Sequence, residues 1–244
     1  GSAWNHNYAV RLSVTLSSGS TTGVRITSPE GSIRSFTKNL ATNAWVSSDS
    51  ADALSEIAGA WVYRRGDDDA VLTFTADGRL QTRVERGGVA YAYTYDGAGR
   101  LATVSNNFSR ALTFTYAAGG QLSTVGVPDG RTIGYGFDAG GRLASVTYPD
   151  SKSRAFLYEN TTYPQALTGI LAEAGNRWGT FSYDSQGRAT STELAGAVDR
   201  YQVSYPSSGV ATIVDPLNTS RSYSYGTAQG KLAVISGNLP SGGG

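Results

Sequence analysis

Spacing constrains this chain more than any other property. An aromatic residue stands just ahead of a polar turn at Phe74, Tyr95, Tyr116, Phe137, Tyr158, Tyr183, Tyr205 and Tyr225, at intervals of 21, 21, 21, 21, 25, 22 and 20 residues. A fixed period of this size means that one supersecondary unit is stacked on copies of itself, since a single unit cannot bury its apolar face alone. Most of these aromatics are followed by a turn and a Gly-Arg-Leu-like triplet: Gly78-Arg79-Leu80, Gly99-Arg100-Leu101, Gly120-Gln121-Leu122, Gly141-Arg142-Leu143, Gly187-Arg188-Ala189 and Gly230-Lys231-Leu232. Tyr158 and Tyr205 open degenerate units.

Within a unit the residues before the aromatic alternate with period two, as in Tyr91, Tyr93, Tyr95 or Leu112, Phe114, Tyr116. That alternation is a strand with one buried face. The turn after it, such as Asp96-Gly97-Ala98-Gly99, brings a carboxylate that can bond turn amides and a glycine for positive φ. A second, β-branched run follows and stops at a second turn such as Pro128-Asp129-Gly130 or Pro149-Asp150-Ser151. Two short strands and two turns fill a unit, which leaves no room for a parallel crossover, so neighbours pair antiparallel. Before Phe74 the pattern is looser. Strand-like stretches at 9–16, 24–27, 33–37 and 61–65 read as further hairpins, with a helix over 50–57, capped by Asp49 or Ser50, as a competing reading. So many strands exceed what a flat open sheet carries, and the prediction is an all-β fold: one continuous, strongly curved antiparallel sheet. A propeller is disfavoured, because its four-stranded blades need about 40 residues each.

Composition excludes several functions. The net charge is +1, with no cluster of Lys and Arg to track phosphates, so nucleic acid is not an expected partner. There is no cysteine for disulfides, thiolate metal sites or a thiol nucleophile. No apolar run is long enough for a membrane span, and the first residues do not read as a signal peptide. The Gly1-Ser2 start, the missing Met and the glycine-rich end read as a piece of something longer.

The strings YTYDGAGRLATV, FTYAAGGQLSTV, YGFDAGGRLASVTYPDS and FSYDSQGRATST resemble the YD repeats of the rearrangement-hotspot (Rhs) family, which also occur in insecticidal toxin complexes and teneurins. The resemblance covers about residues 70–237, and the WNHNYAVRLSV segment is similar to what precedes the repeats in bacterial members. It implies a spiralling β-sheet that forms a hollow shell, within which a toxic segment of the same polypeptide is held. Two departures stand out. Eight units are too few for a complete shell, so the chain supplies an arc of wall. The family's Asp-Pro-x-Gly-Leu self-cleavage motif is matched only by Asp215-Pro216-Leu217-Asn218, which lacks the Gly-Leu, so autoproteolysis is not carried over.

The candidate sites weigh toward structure. Asp67-Asp68-Asp69 has no metal-loop spacing and reads as a solvated turn. His6 is the only histidine, which leaves a catalytic triad or histidine metal centre unsupported. Asp96, Asp138, Glu159 and Asp184 recur at repeat spacing, which suits turn capping and not the two unlike carboxylates of a glycosidase. Arg79, Arg100, Arg142 and Arg188 are expected to pack over tyrosine rings and pair with turn carboxylates of adjoining repeats, with a cargo-facing ladder as the alternative.

The resulting expectation is a non-catalytic shell segment without cofactor or metal, secreted or on a cell surface, partnered by an effector segment of its parent polypeptide. Self-association through open sheet edges is expected, and an adhesive or carbohydrate-binding β-repeat is the alternative. The chain divides into an irregular lead-in at 1–69, repeats at 70–237 and a flexible tail at 238–244.

Overall fold

The computed structural model describes residues 6–47, 51–228 and 231–238. The first four strands, β1 (Arg11–Ser17), β2 (Ser20–Thr27), β3 (Ile33–Lys38) and β4 (Trp45–Ser47), form a small antiparallel meander. The second sheet starts with β5 (Ala53–Ile57), β6 (Ala60–Arg64), β7 (Val71–Phe74), β8 (Leu80–Val84), β9 (Ala90–Tyr95) and β10 (Leu101–Asn106). It continues through β11 (Ala111–Tyr116), β12 (Leu122–Gly126), β13 (Thr132–Phe137), β14 (Leu143–Thr147), β15 (Ser153–Leu157) and β16 (Gly169–Leu171). It ends with β17 (Arg177–Tyr183), β18 (Ala189–Leu194), β19 (Val198–Ser207), β20 (Val210–Val214), β21 (Ser220–Ala228) and β22 (Lys231–Gly237). Each of these 18 strands pairs antiparallel with its neighbour in sequence, as the repeat pattern requires. The strand order can be written as a closed cycle with β22 beside β5. Leu232, Val234 and Ile235 of β22, the last strand of this ribbon, are 75%, 53% and 63% exposed there.

Residues 53–57 form β5 and not a helix, and the caps proposed for that helix lie outside the described residues. Leu54 is buried opposite Tyr63, whereas Glu56 and Ile57 are exposed, which is a strand's distribution of apolar contact. A helix this short has little stability of its own, and the sheet partner decides the outcome.

The ribbon curves for a local reason that recurs. In each regular unit the aromatic lies directly opposite the triplet's third residue: Phe74 with Leu80, Tyr95 with Leu101, Tyr116 with Leu122, Phe137 with Leu143 and Tyr183 with Ala189. The register then slips by one, leaving Gln81, Ala102, Ser123, Ala144 and Thr190 as bulged residues. A bulge bends its strand and adds right-handed twist, so one per unit bends the whole sheet.

The core lies between the two sheets. Leu12, Val24, Ile26 and Phe36 of the meander pack on Leu54, Trp61, Tyr63, Leu72, Phe74, Leu80, Tyr93, Leu101 and Val104 of the ribbon. Trp45 meets Trp61 edge-on at 5.2 Å and Phe36 meets Tyr63 at 6.0 Å, the offset geometry that aromatic quadrupoles favour. One carboxylate ties the layers together. Asp52, its side chain 6% exposed, accepts hydrogen bonds from Tyr63 Oη (2.7 Å), Arg34 Nε of β3 (3.0 Å) and the Gly66 amide (2.8 Å). Burial and that carboxylate push the Tyr63 hydroxyl above its usual pKa.

Gly78 sets how closely the layers approach. Its φ is +81°, the Leu12 amide donates to its carbonyl (3.1 Å), and a Cβ built there would lie 1.9 Å from the Leu12 carbonyl oxygen. Gly130 has a similar φ of +86° with nothing near its Cβ position. Gly130→Ala is therefore expected to cost only the left-handed backbone strain, about 1–2 kcal/mol, and Gly78→Ala at least twice that because the meander must lift. Denaturant unfolding of the two variants measures the difference. Phe74→Ala, at a fully buried position, should lose about 3–5 kcal/mol in the same assay.

Candidate functional site

Registers sort the ribbon's residues into two unlike faces. On one face Tyr93 opposes Val104, which in turn opposes Leu112; Phe114 opposes Val125, which in turn opposes Ile133; and Tyr135 opposes Val146. On the other, Thr94 opposes Thr103, which in turn opposes Thr113, and Thr115 opposes Thr124. Hydroxyls of that second face bond one another across strands, at 2.6 Å for Thr94 with Thr103 and for Thr115 with Thr124, and at 2.8 Å for Thr147 with Ser153. The polar face is thus hydrogen-bonded within itself. The apolar face needs a cover.

Only part of it has one. The meander covers the ribbon from β5 to β10, and Tyr8, 6.1 Å from Phe114 ring to ring, reaches β11. From β12 onward the apolar face continues with Ile133, Tyr135, Phe137, Val146, Phe156, Ile170, Phe181, Val203 and Ile213, all half-buried. Tyr201 on the same face is 43% exposed. Among the described apolar residues past β11, only Val125, Leu143 and Ala211 are buried. The guanidinium groups on this stretch are neutralised, Arg154 by Glu173 (3.0 Å) and Arg221 by Asp215 (2.7 Å).

One edge of the ribbon carries a repeated lock between neighbouring units. Asp96 Oδ1 accepts from the amides of Ala98 and Arg100, and Oδ2 pairs with Arg100 Nε at 2.8 Å. Asp138 does the same for Gly140 and Arg142, and Asp184 for Gln186 and Arg188. Amide bonds and then the guanidinium hold these carboxyls below their usual pKa. Each arginine then lies over the tyrosine of the next unit: Arg79 over Tyr95, Arg100 over Tyr116, Arg142 over Tyr158 and Arg188 over Tyr205, at 5.7, 4.5, 4.7 and 4.2 Å. Those hydroxyls donate back to the carbonyls of Leu80, Leu101, Leu143 and Ala189, at 2.8–2.9 Å. The arginine expectation is corrected in one respect: the ring belongs to the adjoining repeat, but the carboxylate is the arginine's own, because a turn four residues long brings the two together. Where Gln121 replaces the arginine, Phe137 replaces the tyrosine, so both halves of the contact are absent together.

The 25-residue unit solves the same problem with different residues. Glu159 does not cap a turn, contrary to expectation: it pairs with Arg177 at 2.8 Å and accepts from Thr168 Oγ1 at 2.8 Å. Those bonds bring its carboxyl down to about 2. Tyr163, from the inserted loop, lies against Gly187 and donates to the Ser185 carbonyl, at the position where Arg79 lies over Gly99. Tyr183 donates to the Leu167 carbonyl at 2.7 Å, so the inter-unit bond survives the insertion.

The remaining candidates are accounted for by pairing. Asp67 and Asp68 pair with Arg65 at 2.7 and 3.3 Å, and Asp69 pairs with Arg64 at 2.7 Å. His6 lines an open cleft of about 390 Å³ between the sheets, with Arg34, Arg65, Asp67 and Arg83, and burial lowers its pKa. Asp215 caps its turn through the amides of Leu217 and Thr219. For carbohydrate stacking, Tyr95, Tyr116, Tyr158 and Tyr205 each have one ring face under a guanidinium and the hydroxyl engaged.

A double-mutant cycle on Arg100→Gln and Tyr116→Leu should give a coupling of about 0.5–2 kcal/mol, since the guanidinium lies over the ring that the second substitution removes. Gln121 with Phe137 should show none. The pH behaviour of Glu159 is set by its depressed folded-state pKa: its contribution is complete above the unfolded value of 4.5 and is lost as pH falls through about 2. Glu159→Gln should flatten the stability profile across that window, read by thermal melting at a series of pH values.

No curated protein matches the chain. Among solved structures, similarity extends to a TcdB2-TccC3-Cdc42 crystal structure (14% identity, TM-score 0.45) and a TcdB2-TccC3-TEV crystal structure (10%, 0.41). A Tc holotoxin pore of Photorhabdus luminescens, with a substitution in TccC3, is similar at 12% identity and a TM-score of 0.38. The three alignments cover 93%, 93% and 88% of this chain, which spans only 15%, 15% and 14% of theirs. Residues 60–239 match the teneurin YD-shell, so the chain, with its tyrosine-locked hairpin units, belongs to the teneurin YD-shell family.

Proposed function

We propose that this chain is a non-catalytic wall segment whose uncovered apolar face shelters another stretch of polypeptide, an effector or toxin segment of its parent. The carrying observation is the contrast along one ribbon. The meander covers the face from β5 to β10, and an equivalent apolar face continues bare across the later units. Apolar surface on that scale marks an interaction site. A segment laid there gains burial, while the opposite face, with hydroxyls bonded to one another, stays in water.

The residues that define the repeats, Phe74 to Tyr225 with their triplets, build the wall in this reading, and 1–69 closes its first units. The tail at 238–244 lies outside the described residues except for Asn238. Among the described residues no three His, Cys, Asp or Glu group together as metal ligands, and no helix is long and apolar enough to cross a membrane. Secretion or surface display fits a family of shells, and pairing of open sheet edges with a further chain completes the proposal.

Protease protection tests it. An unstructured polypeptide fused after residue 244 should be digested several-fold more slowly than the same segment free. Tyr201→Asp combined with Val203→Asp, on the bare face, should remove that protection with the far-ultraviolet circular dichroism unchanged. Equal digestion rates for fused and free segments would overturn the sheltering role.

A further inference from the structure

Both layers turn an arginine toward the space between them. On β3 Arg34 lies opposite Ile26 and two residues before Phe36, and on β8 Arg83 lies opposite Leu72 and Tyr91. Ile26, Phe36 and Leu72 belong to the core, so period-two alternation puts the two guanidinium groups on the inward faces of meander and ribbon. A charge in such a position is costly unless its donors are satisfied. Each arginine has a carboxylate, Asp52 at 3.0 Å from Arg34 Nε and Glu85 at 2.7 Å from Arg83 Nε. Neither guanidinium is fully satisfied by it. Among the described residues three buried side-chain polar atoms make no hydrogen bond, and two of them are Arg34 Nη1 and Arg83 Nε, the Glu85 contact being an ion pair without hydrogen-bond geometry. Both arginines line the one cleft of about 390 Å³ between the layers. Buried donors without an acceptor are rare enough to call for a functional reason.

We propose that this cleft binds a carboxylate with a short apolar body, its oxygens taken by Arg34 from the meander and Arg83 from the ribbon and its body laid on Val10, Ile26 and Leu72. A cavity of this size with apolar walls and a few convergent polar groups is the ordinary form of a small-ligand site. The planar fork of a guanidinium matches the two oxygens of a carboxylate. The neighbouring polar groups are already engaged, Arg65 by Asp67 and Asp68 and the Tyr63 hydroxyl by Asp52. Charge then selects the ligand class. Glu30 and Asp67 line the cleft beside the three arginines, Asp52 and Glu85 pair with two of those arginines, and burial lowers the pKa of His6, which keeps that ring neutral at pH 7. A dianion such as phosphate meets those carboxylates with no surplus of positive charge to offset them. A singly charged carboxylate relies instead on donor geometry and apolar contact. Because its two arginines come from different layers, the occupant also clamps the meander onto the ribbon. The cleft lies in the covered part of the ribbon, so this site is independent of whether the bare face shelters anything.

Isocaproate, a carboxylate on a branched aliphatic chain, is the probe, titrated calorimetrically into the whole chain. It should bind once per chain and, in tenfold excess over its Kd, raise the melting temperature by about 2–4 °C. Isocaproamide, which keeps the shape and loses the charge, and inorganic phosphate should each bind about tenfold more weakly or worse. Arg83→Gln should cost isocaproate about tenfold in affinity with the far-ultraviolet circular dichroism unchanged, while Arg131→Gln, on a separate exposed turn, should leave binding as it is. Because Arg83 also pairs with Glu85, nuclear magnetic resonance on the unmodified chain supplies a second reading: the side-chain nitrogen signals of Arg34 and Arg83 should shift during the titration and that of Arg131 should not. N-acetyl-leucine, a copy of a peptide's last residue, separates two sources of the carboxylate. Tighter binding than isocaproate assigns the site to a peptide C-terminus, and weaker binding assigns it to a free small acid. The proposal is overturned by the absence of heat and of signal shifts at millimolar isocaproate, by unchanged affinity in Arg83→Gln, or by the amide or phosphate binding as tightly as the carboxylate.

Discussion

The bond from a tyrosine hydroxyl to the main-chain carbonyl of the unit before it is the contact on which the ribbon depends. A tyrosine ring on a half-buried face still needs a partner for its oxygen, and the nearest fixed acceptor is the carbonyl of the residue paired with the previous aromatic. That geometry holds consecutive hairpins at one offset. It also brings each ring beneath the arginine of the preceding turn, which the turn's aspartate orients. Where the unit lengthens to 25 residues, the acceptor becomes the Leu167 carbonyl while Tyr163 lies against Gly187, so the hydroxyl bond is kept although the loop changes.

Curvature and sidedness follow from the same unit. The bulge after each triplet bends the sheet in a fixed sense, so repetition makes a wall and not a flat sheet. Alternation then assigns the two faces for every strand at once: threonine and serine hydroxyls on one, aromatic and aliphatic side chains on the other. The meander shows what covering the second face involves, since Leu12, Val24, Ile26 and Phe36 contribute their most buried atoms to it. Past β11 the wall offers the same chemistry with no covering layer among the described residues.

The joint between the layers was not visible beforehand. No sequence pattern singles out Asp52, yet it is the buried acceptor for Arg34, Tyr63 and the Gly66 amide. Its partners stand 18, 11 and 14 residues away on three different segments, and no local pattern links them. The triple acid at 67–69 shows the opposite case. Its charges pair with Arg64 and Arg65, immediately before it, so these contacts stay local.

Period, class and pairing direction were legible in the residues themselves, because a 21-residue unit with alternating aromatics and turn glycines has no other way to bury one face. The turn-capping roles of Asp96, Asp138 and Asp184 were legible for the same reason, being contacts within four residues. Glu159 was misread there because its partner, Arg177, lies across an insertion that interrupts the period. The helix reading at 50–57 failed for a related cause: local propensity is weak over so short a run, and only Tyr63 on the neighbouring strand gives Leu54 a place to be buried. The bulge positions, the layering of the meander over the first units and the bare remainder of the face belong to the tertiary structure. Each depends on which strands end up opposite one another and on what lies above them, and those are relations between distant residues that spacing along one chain does not contain.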